Sequence, residues 1–154
     1  MTNTSKTTAT VKSPAPQSPA DASTQALAGL LTDPSVSSRQ LGRLGEQYAR
    51  SWLEEQGWRI LDHNWHSRYG ELDLVALDPQ GLLVFVEVKT RRSKLYGSPQ
   101  EAITAHKRLT LRRAGVQWLM DPENHVAHTG SSFDVIAVSV HQGQVHLNHI
   151  REAF

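Results

Sequence analysis

Two strand-like runs, Glu71-Leu72-Asp73-Leu74-Val75-Ala76-Leu77 and Leu82-Leu83-Val84-Phe85-Val86-Glu87-Val88-Lys89, are separated only by Asp78-Pro79-Gln80-Gly81. A link this short leaves the two runs little choice but to pair as a hairpin. Asp first, Pro second and Gly fourth suit a type I turn followed by a left-handed glycine bulge, which makes Asp78 and Leu82 the closing pair. Counting back from that pair sets Asp73 opposite Glu87 and Glu71 opposite Lys89, on one face with Val75 and Phe85. The other face holds Leu72, Leu74, Ala76, Val84, Val86 and Val88. Both faces are largely apolar, so the hairpin belongs inside a sheet covered on each side.

Elements of helical and strand periodicity surround this hairpin. Ser38 caps a helix whose apolar positions Leu41, Leu44, Tyr48, Ala49, Trp52 and Leu53 recur at helical spacing, and Gly57 closes it. Trp58 to Leu61 reads as a short strand, and the stretch with Trp65, His66 and Arg68 as a loop. Ser98-Pro99-Gln100-Glu101 has the form of a capped helix start, and that helix runs to about Met120, ahead of Asp121-Pro122. Residues 125–131 read as loop, and Phe133 to Val138 pairs with Gln144 to Leu147 around Gln142-Gly143. The order α-β-β-β-α-β-β predicts an α/β domain over residues 39–154, with a mixed sheet flanked by helices.

Residues 1–38 are built of Thr, Ser, Ala, Pro and Lys without one aromatic side chain. Such a stretch cannot bury enough apolar surface to offset its ordering entropy, and it reads as a disordered tail. It lowers the hydrophobic share of the 154 residues to 38%. No run matches a secretory signal or a membrane span, and the first Arg is Arg39, unlike an Arg-rich transit peptide. Cysteine is absent, which excludes disulfides, thiol nucleophiles and Cys-based zinc sites. A cytoplasmic protein without a membrane partner is the expectation. The net charge of +1 conceals a local excess, since Lys89, Arg91, Arg92, Lys94, Lys107, Arg108, Arg112 and Arg113 face the single acid Glu101 in that part of the chain.

Two carboxylates opposed on neighbouring buried strands repel and lose hydration, so something must compensate. Lys89 alone, as a structural ion pair, is one answer. A hard divalent cation held by both carboxylates is another, because Mg²⁺ takes a couple of carboxylates together with water and substrate phosphate. Glu87 and Lys89 break an apolar run at its C-terminal end, where open α/β sheets place ligands, and Lys89 leads into Arg91, Arg92 and Lys94, suited to a phosphate backbone.

Asp73 followed by Glu87-Val88-Lys89 has the form of the PD-(D/E)xK nuclease motif. The wider set, Gly42-Arg43-Leu44-Gly45-Glu46 with Ala49, Gly57-Trp58, Asn64-Trp65, Gly70 to Leu74, Phe85 to Arg91, Gly97 and Phe133-Asp134-Val135, resembles the YraN-like family of uncharacterised bacterial proteins. That family is similar to the archaeal Holliday-junction resolvases. The resemblance covers about Arg39 to Arg151 and implies a restriction-endonuclease-like fold acting as a Mg²⁺- or Mn²⁺-dependent endonuclease on DNA, branched DNA included, in repair or recombination. It implies that Asp73, Glu87, the Val88 carbonyl and Glu46 serve the metal and that Lys89 serves the attacking water. Arg91, Arg92, Lys94, Lys107, Arg108 and Arg68 are the expected nucleic-acid contacts, and a homodimer is the assembly junction resolution would want. Two positions depart from the family pattern: His66 and Ser132 stand where Arg is usual. The alternative expectation is a non-catalytic nucleic-acid-binding or protein-interaction module on the same fold.

Eight histidines raise a zinc reading, but His125 with His128 and His146 with His149 have no third ligand in register. Trp52, Trp58 and Trp118 read as core. Trp65 carries two readings, packing or stacking on an unpaired base.

Overall fold

Capping chemistry sets the first boundary of the main domain. In the computed structural model, which describes residues 6–11, 19–92 and 103–154, helix α2 (Ser38–Glu55) is capped by Ser37, not Ser38. The Ser37 hydroxyl accepts the Gln40 N–H while the Gln40 side chain accepts the Ser37 N–H, both at 3.2 Å. Ser38 would have to reciprocate with Leu41, which has no acceptor. Gly57, at φ +87°, ends the helix as expected.

Strands β2 (Arg59–Ser67), β3 (Gly70–Leu77) and β4 (Leu83–Arg91) follow, then α3 (Ala105–Met120), β5 (Ser131–His141) and β6 (Gln144–Ile150). From α2 onward the order is the predicted α-β-β-β-α-β-β. β2 is longer than expected and takes Trp65 and His66 out of the loop. Helix α3 starts at Ala105: Thr104 has extended backbone and its hydroxyl accepts the Lys107 N–H at 3.1 Å. The predicted start at Ser98 to Glu101 lies outside the described residues.

Two further elements, β1 (Lys6–Val11) and α1 (Pro19–Leu31), fall in the stretch read as a disordered tail. That reading does not hold for them. Leu31 is 1% exposed and Ala28 6%, both within the core cluster of α2, and Leu27 packs against the same cluster half-buried. Leu27, Ala28 and Leu31 stand three and four residues apart, so an otherwise polar segment presents one narrow apolar helix face. Composition averaged over the whole segment hides this local period.

The sheet has the order β1-β6-β5-β4-β3-β2, antiparallel throughout except for the β4–β5 pair. The β3–β4 register is the one counted from the turn, with Leu74 against Val86 and Leu77 against Leu83. The turn itself matches: Asp78 N–H donates to the Leu82 carbonyl at 2.9 Å, and Gly81 has φ +88°. Helix α2 covers one side, packing Leu41, Tyr48, Ala49, Trp52 and Leu53 on Leu74, Ala76, Val84, Val86 and Val88. Helix α3 covers the other, with Leu111, Ala114 and Trp118 on Val75, Phe85 and Val135. Trp52 and Trp58 at 8% exposure and Trp118 at 2% are core, as read from the sequence.

Where α2 crosses β4 the contact is backbone-close. A Cβ on Gly45 would overlap the Thr90 hydroxyl and lie 2.8 Å from the Thr90 Cβ. Thr is stiff at χ1, so it cannot swing aside. Gly45→Ala is therefore expected to destabilise the fold by about 1–3 kcal/mol despite alanine's better helix propensity. Urea denaturation checks this, and Thr90→Ala in the same chain, which removes the hydroxyl and methyl but leaves the Cβ at 2.8 Å, should recover only part of the loss; no loss in the single variant would refute the contact.

Candidate functional site

The site lies where two strands part. The β3–β4 ladder runs from Leu77 to Leu74, whereas β4 stays paired with β5 as far as Arg91 against Ser139. Beyond Val86, β4 thus turns one backbone edge toward an opening fork. Into this fork projects Asp73, whose Oδ2 accepts the Val88 N–H at 2.9 Å.

A break in side-chain alternation brings Asp73 there. Leu72 packs in the α3-side core with Trp65, while Leu74, two residues on, packs in the α2-side core. The expectation that Leu72 and Leu74 share a face is overturned, and so is the strict one-face grouping of Asp73 and Glu71 with Val75 and Phe85. Between the register pairs His63–Leu74 and Trp65–Leu72 stand Asp73 and Asn64, and Asn64 has φ +48°. Asparagine tolerates this left-handed backbone, and the local kink reverses which way the next side chains face. Trp65 is half-buried and packs against the α3-side core.

Glu87 is 6% exposed and its Oε1 lies 3.3 Å from Lys89 Nζ and 3.9 Å from Lys107 Nζ. Its Oε2 is buried with no hydrogen-bond partner among the described residues. Asp73 is pushed up to about 8, first by burial, then by the charge of Glu87, with Glu46 adding to it and the Val88 N–H opposing. Glu46 on α2 is raised too, by burial and then by Glu71 and Glu87, with Arg43 pulling the other way. Asp73 and Glu46 thus both feel the charge of Glu87. Among the described residues no group of three or more His, Asp or Glu side chains is placed to hold a metal ion; the site offers a carboxylate pair with a lysine beside it.

The expected nucleic-acid contacts are not one track. Lys107 faces Glu87, but Arg92 donates to the Val36 carbonyl at the loop before α2. Arg68 bonds the Tyr69 hydroxyl at 2.9 Å on the β2–β3 turn. Arg108 has a buried Nε and its guanidinium sits 5.8 Å from the Phe154 ring. Arg91 ends β4, and Lys94 lies outside the described residues. Arg92 and Arg68 are exposed and hold only local contacts, whereas Arg108 is partly buried with its guanidinium against Phe154.

What the sequence reading missed is a cleft of about 780 Å³ between α2 and β2, lined by Arg39, Arg43, Glu46, Arg50, His63, Asn64, His66, Glu71 and Asp73 among others. Its signal was present: Arg39, Arg43, Glu46 and Arg50 are spaced 4, 3 and 4 residues apart, one polar stripe along a helix.

Fold and site together define a mixed α/β-sheet protein with a carboxylate pair and a lysine at the fork of two central strands. Residues 45–138 match the uncharacterised protein family UPF0102. A UPF0102 protein of Bifidobacterium longum subsp. infantis is 52% identical over 122 residues, 79% of this chain and 98% of that protein. One from Rhodococcus jostii is 47% identical over 115 residues, 74% and 95% of the two chains, and one from Syntrophomonas wolfei is 44% identical over 117 residues, 76% and 99%. The chain belongs to the UPF0102 family, the YraN-like family its motifs resembled. Among the described residues no helix is long and apolar enough to cross a membrane.

Proposed function

We propose that this protein is a metal-dependent nuclease of the PD-(D/E)xK class that hydrolyses phosphodiester bonds of DNA, branched or otherwise structured DNA in particular. The observation that carries the reading is the buried carboxylate pair. Asp73 is held near protonation and Glu87 keeps a buried oxygen without a partner among the described residues, the state of a donor set suited to a hard cation. Asp73 and Glu87 would hold Mg²⁺ or Mn²⁺. The Val88 carbonyl joins them in this reading, as the neighbour of the Val88 N–H that Asp73 accepts. Bound there, the ion supplies charge for the phosphate oxygens and a water of lowered pKa.

The chain's own groups do the rest. Lys89, 31% exposed and 3.3 Å from Glu87, reaches the opening of the fork, where its ammonium orients the attacking water and balances charge gathering on the phosphate. Lys107 adds a second cation from the first turn of α3. Glu46, which shares the cleft with Asp73, would serve the ion from the α2 side. The likeness of the family to junction resolvases supports branched DNA as the target, a dimer as the working assembly and a cytoplasmic setting.

The test is cleavage of labelled single-stranded, duplex, flap and four-way-junction DNA with Mg²⁺, Mn²⁺ or EDTA. Cutting with either metal and none with EDTA is the expected result. Intact DNA under every condition, with binding retained, would leave a non-catalytic binding module instead.

A further inference from the structure

We propose that the cleft between α2 and β2 seats one single strand of nucleic acid, gripped through its phosphates by Arg39, Arg43 and Arg50. This rests on the reading of the carboxylate site as a nuclease centre and names the surface that presents the strand to it. On α2 the order is Arg39, Arg43, Glu46, Arg50, so cations flank the acid that shares the cleft with Asp73. The arginines span about 16 Å of helix. A strand laid along them has phosphates neutralised on both sides of the carboxylates, and the phosphate between is the one brought to the reacting centre.

Size and lining select the ligand. At about 780 Å³ the cleft is of the dimensions of a small-ligand site, with room for a few nucleotides of one strand. No Phe, Tyr or Trp among the described residues lines it, so bases find no large stacking platform and the grip is on the backbone, without sequence preference. His63, Asn64 and His66 on the β2 wall add donors from the other side. Arg39 and Arg43 are exposed. Arg50 pairs with Glu54 at 3.2 Å in a half-exposed i,i+4 bridge, a contact weak enough to exchange for a phosphate. Arg108, in the basic stretch after β4, is by contrast buried at its Nε with its guanidinium against Phe154.

Fluorescence anisotropy of a short labelled oligothymidylate, in EDTA across a salt series, tests the assignment on the full chain. Neutralising three phosphate contacts contributes a log–log salt slope of about 2 for a single strand. The variant carrying Arg39→Gln, Arg43→Gln and Arg50→Gln is expected to lose about that much slope. Arg112→Gln with Arg113→Gln, on a separate surface of α3, should leave it unchanged. Should the triple variant fold poorly, Arg39→Gln and Arg43→Gln singly are each expected to remove about 0.7 of slope. An unchanged slope in the α2 variants, an equal loss in the α3 variant, or tighter binding of a blunt duplex overturns the proposal. Binding with the expected slope but no cleavage in Mg²⁺ overturns the reaction and leaves the cleft; cleavage with an unaltered slope does the reverse.

Discussion

Asp73→Asn is expected to move activity and stability in opposite directions. Cleavage in Mg²⁺ should fall by about a thousandfold or more on the proposed mechanism, because the neutral amide removes one of the two anionic donors proposed to hold the ion. The metal-free variant should nevertheless melt higher than the parent at pH 8, while the Asn carbonyl can still accept the Val88 N–H. The sign follows from where Asp73 titrates. Its carboxyl is pushed up to about 8 in the folded protein from 3.8, by burial and the charge of Glu87. Below pH 3.8 both folded and unfolded chains carry the proton, and Asp73 contributes nothing. As pH rises toward 8 the unfolded chain ionises while the folded one resists, so the metal-free fold loses stability through that window and stays penalised above it. Each unit of difference is worth about 1.4 kcal/mol. Melting curves from about pH 4 to 9 should show the gap between variant and parent opening with pH, and Mn²⁺ should close it by stabilising the parent alone. A gap independent of pH and metal would sink the account.

Asp134→Ala is expected to cost about 3–5 kcal/mol of folding stability, the range for stripping one partner from a buried charged network. Asp134 is fully buried. Its Oδ2 lies 2.8 Å from His149 Nε2 and 3.1 Å from Arg151 Nε, and its Oδ1 accepts the Glu152 N–H at 3.0 Å. His149 is packed against Trp52 and Trp58, and Arg151 bridges on to Asp78 at 2.8 Å while lying over the Trp58 ring. One carboxylate therefore ties the start of β5 to the end of β6 and, through Arg151, to the β3–β4 turn that sets the register of the site. Urea denaturation is the measurement; a loss below about 1 kcal/mol would mean the network is solvated and replaceable. Asp134 belongs to the fold.

Much of the fold was legible because its signals are local. The Asp78-Pro79-Gln80-Gly81 turn fixes strand register through backbone geometry alone, and with it the approach of Asp73 to Glu87. Capping and helical periodicity located α2 to within one residue. Helix α3 was harder. It begins at Ala105, because Thr104 takes an extended backbone that its own hydroxyl stabilises and Ile103 is drawn into the α3-side core; the cues at Ser98-Pro99 lie outside the described residues. Helix α1 was missed because its few apolar residues gain from burial only once α2 and the sheet offer a surface to receive them.

The site divides along the same line. The sequence by itself determined which residues could bear the charge chemistry, Asp73, Glu87 and Lys89, since a period of two and a tight turn are properties of the chain over a few residues. Only the tertiary structure decided which way those charges open and which cations accompany them. The kink at Asn64 and Asp73 turns the acid toward α2. Arg39, Arg43 and Arg50, about thirty residues upstream, become the α2 wall of its cleft. Side-chain direction at a kinked strand and the destination of a long arginine depend on packing between elements far apart along the chain, and no local pattern encodes that.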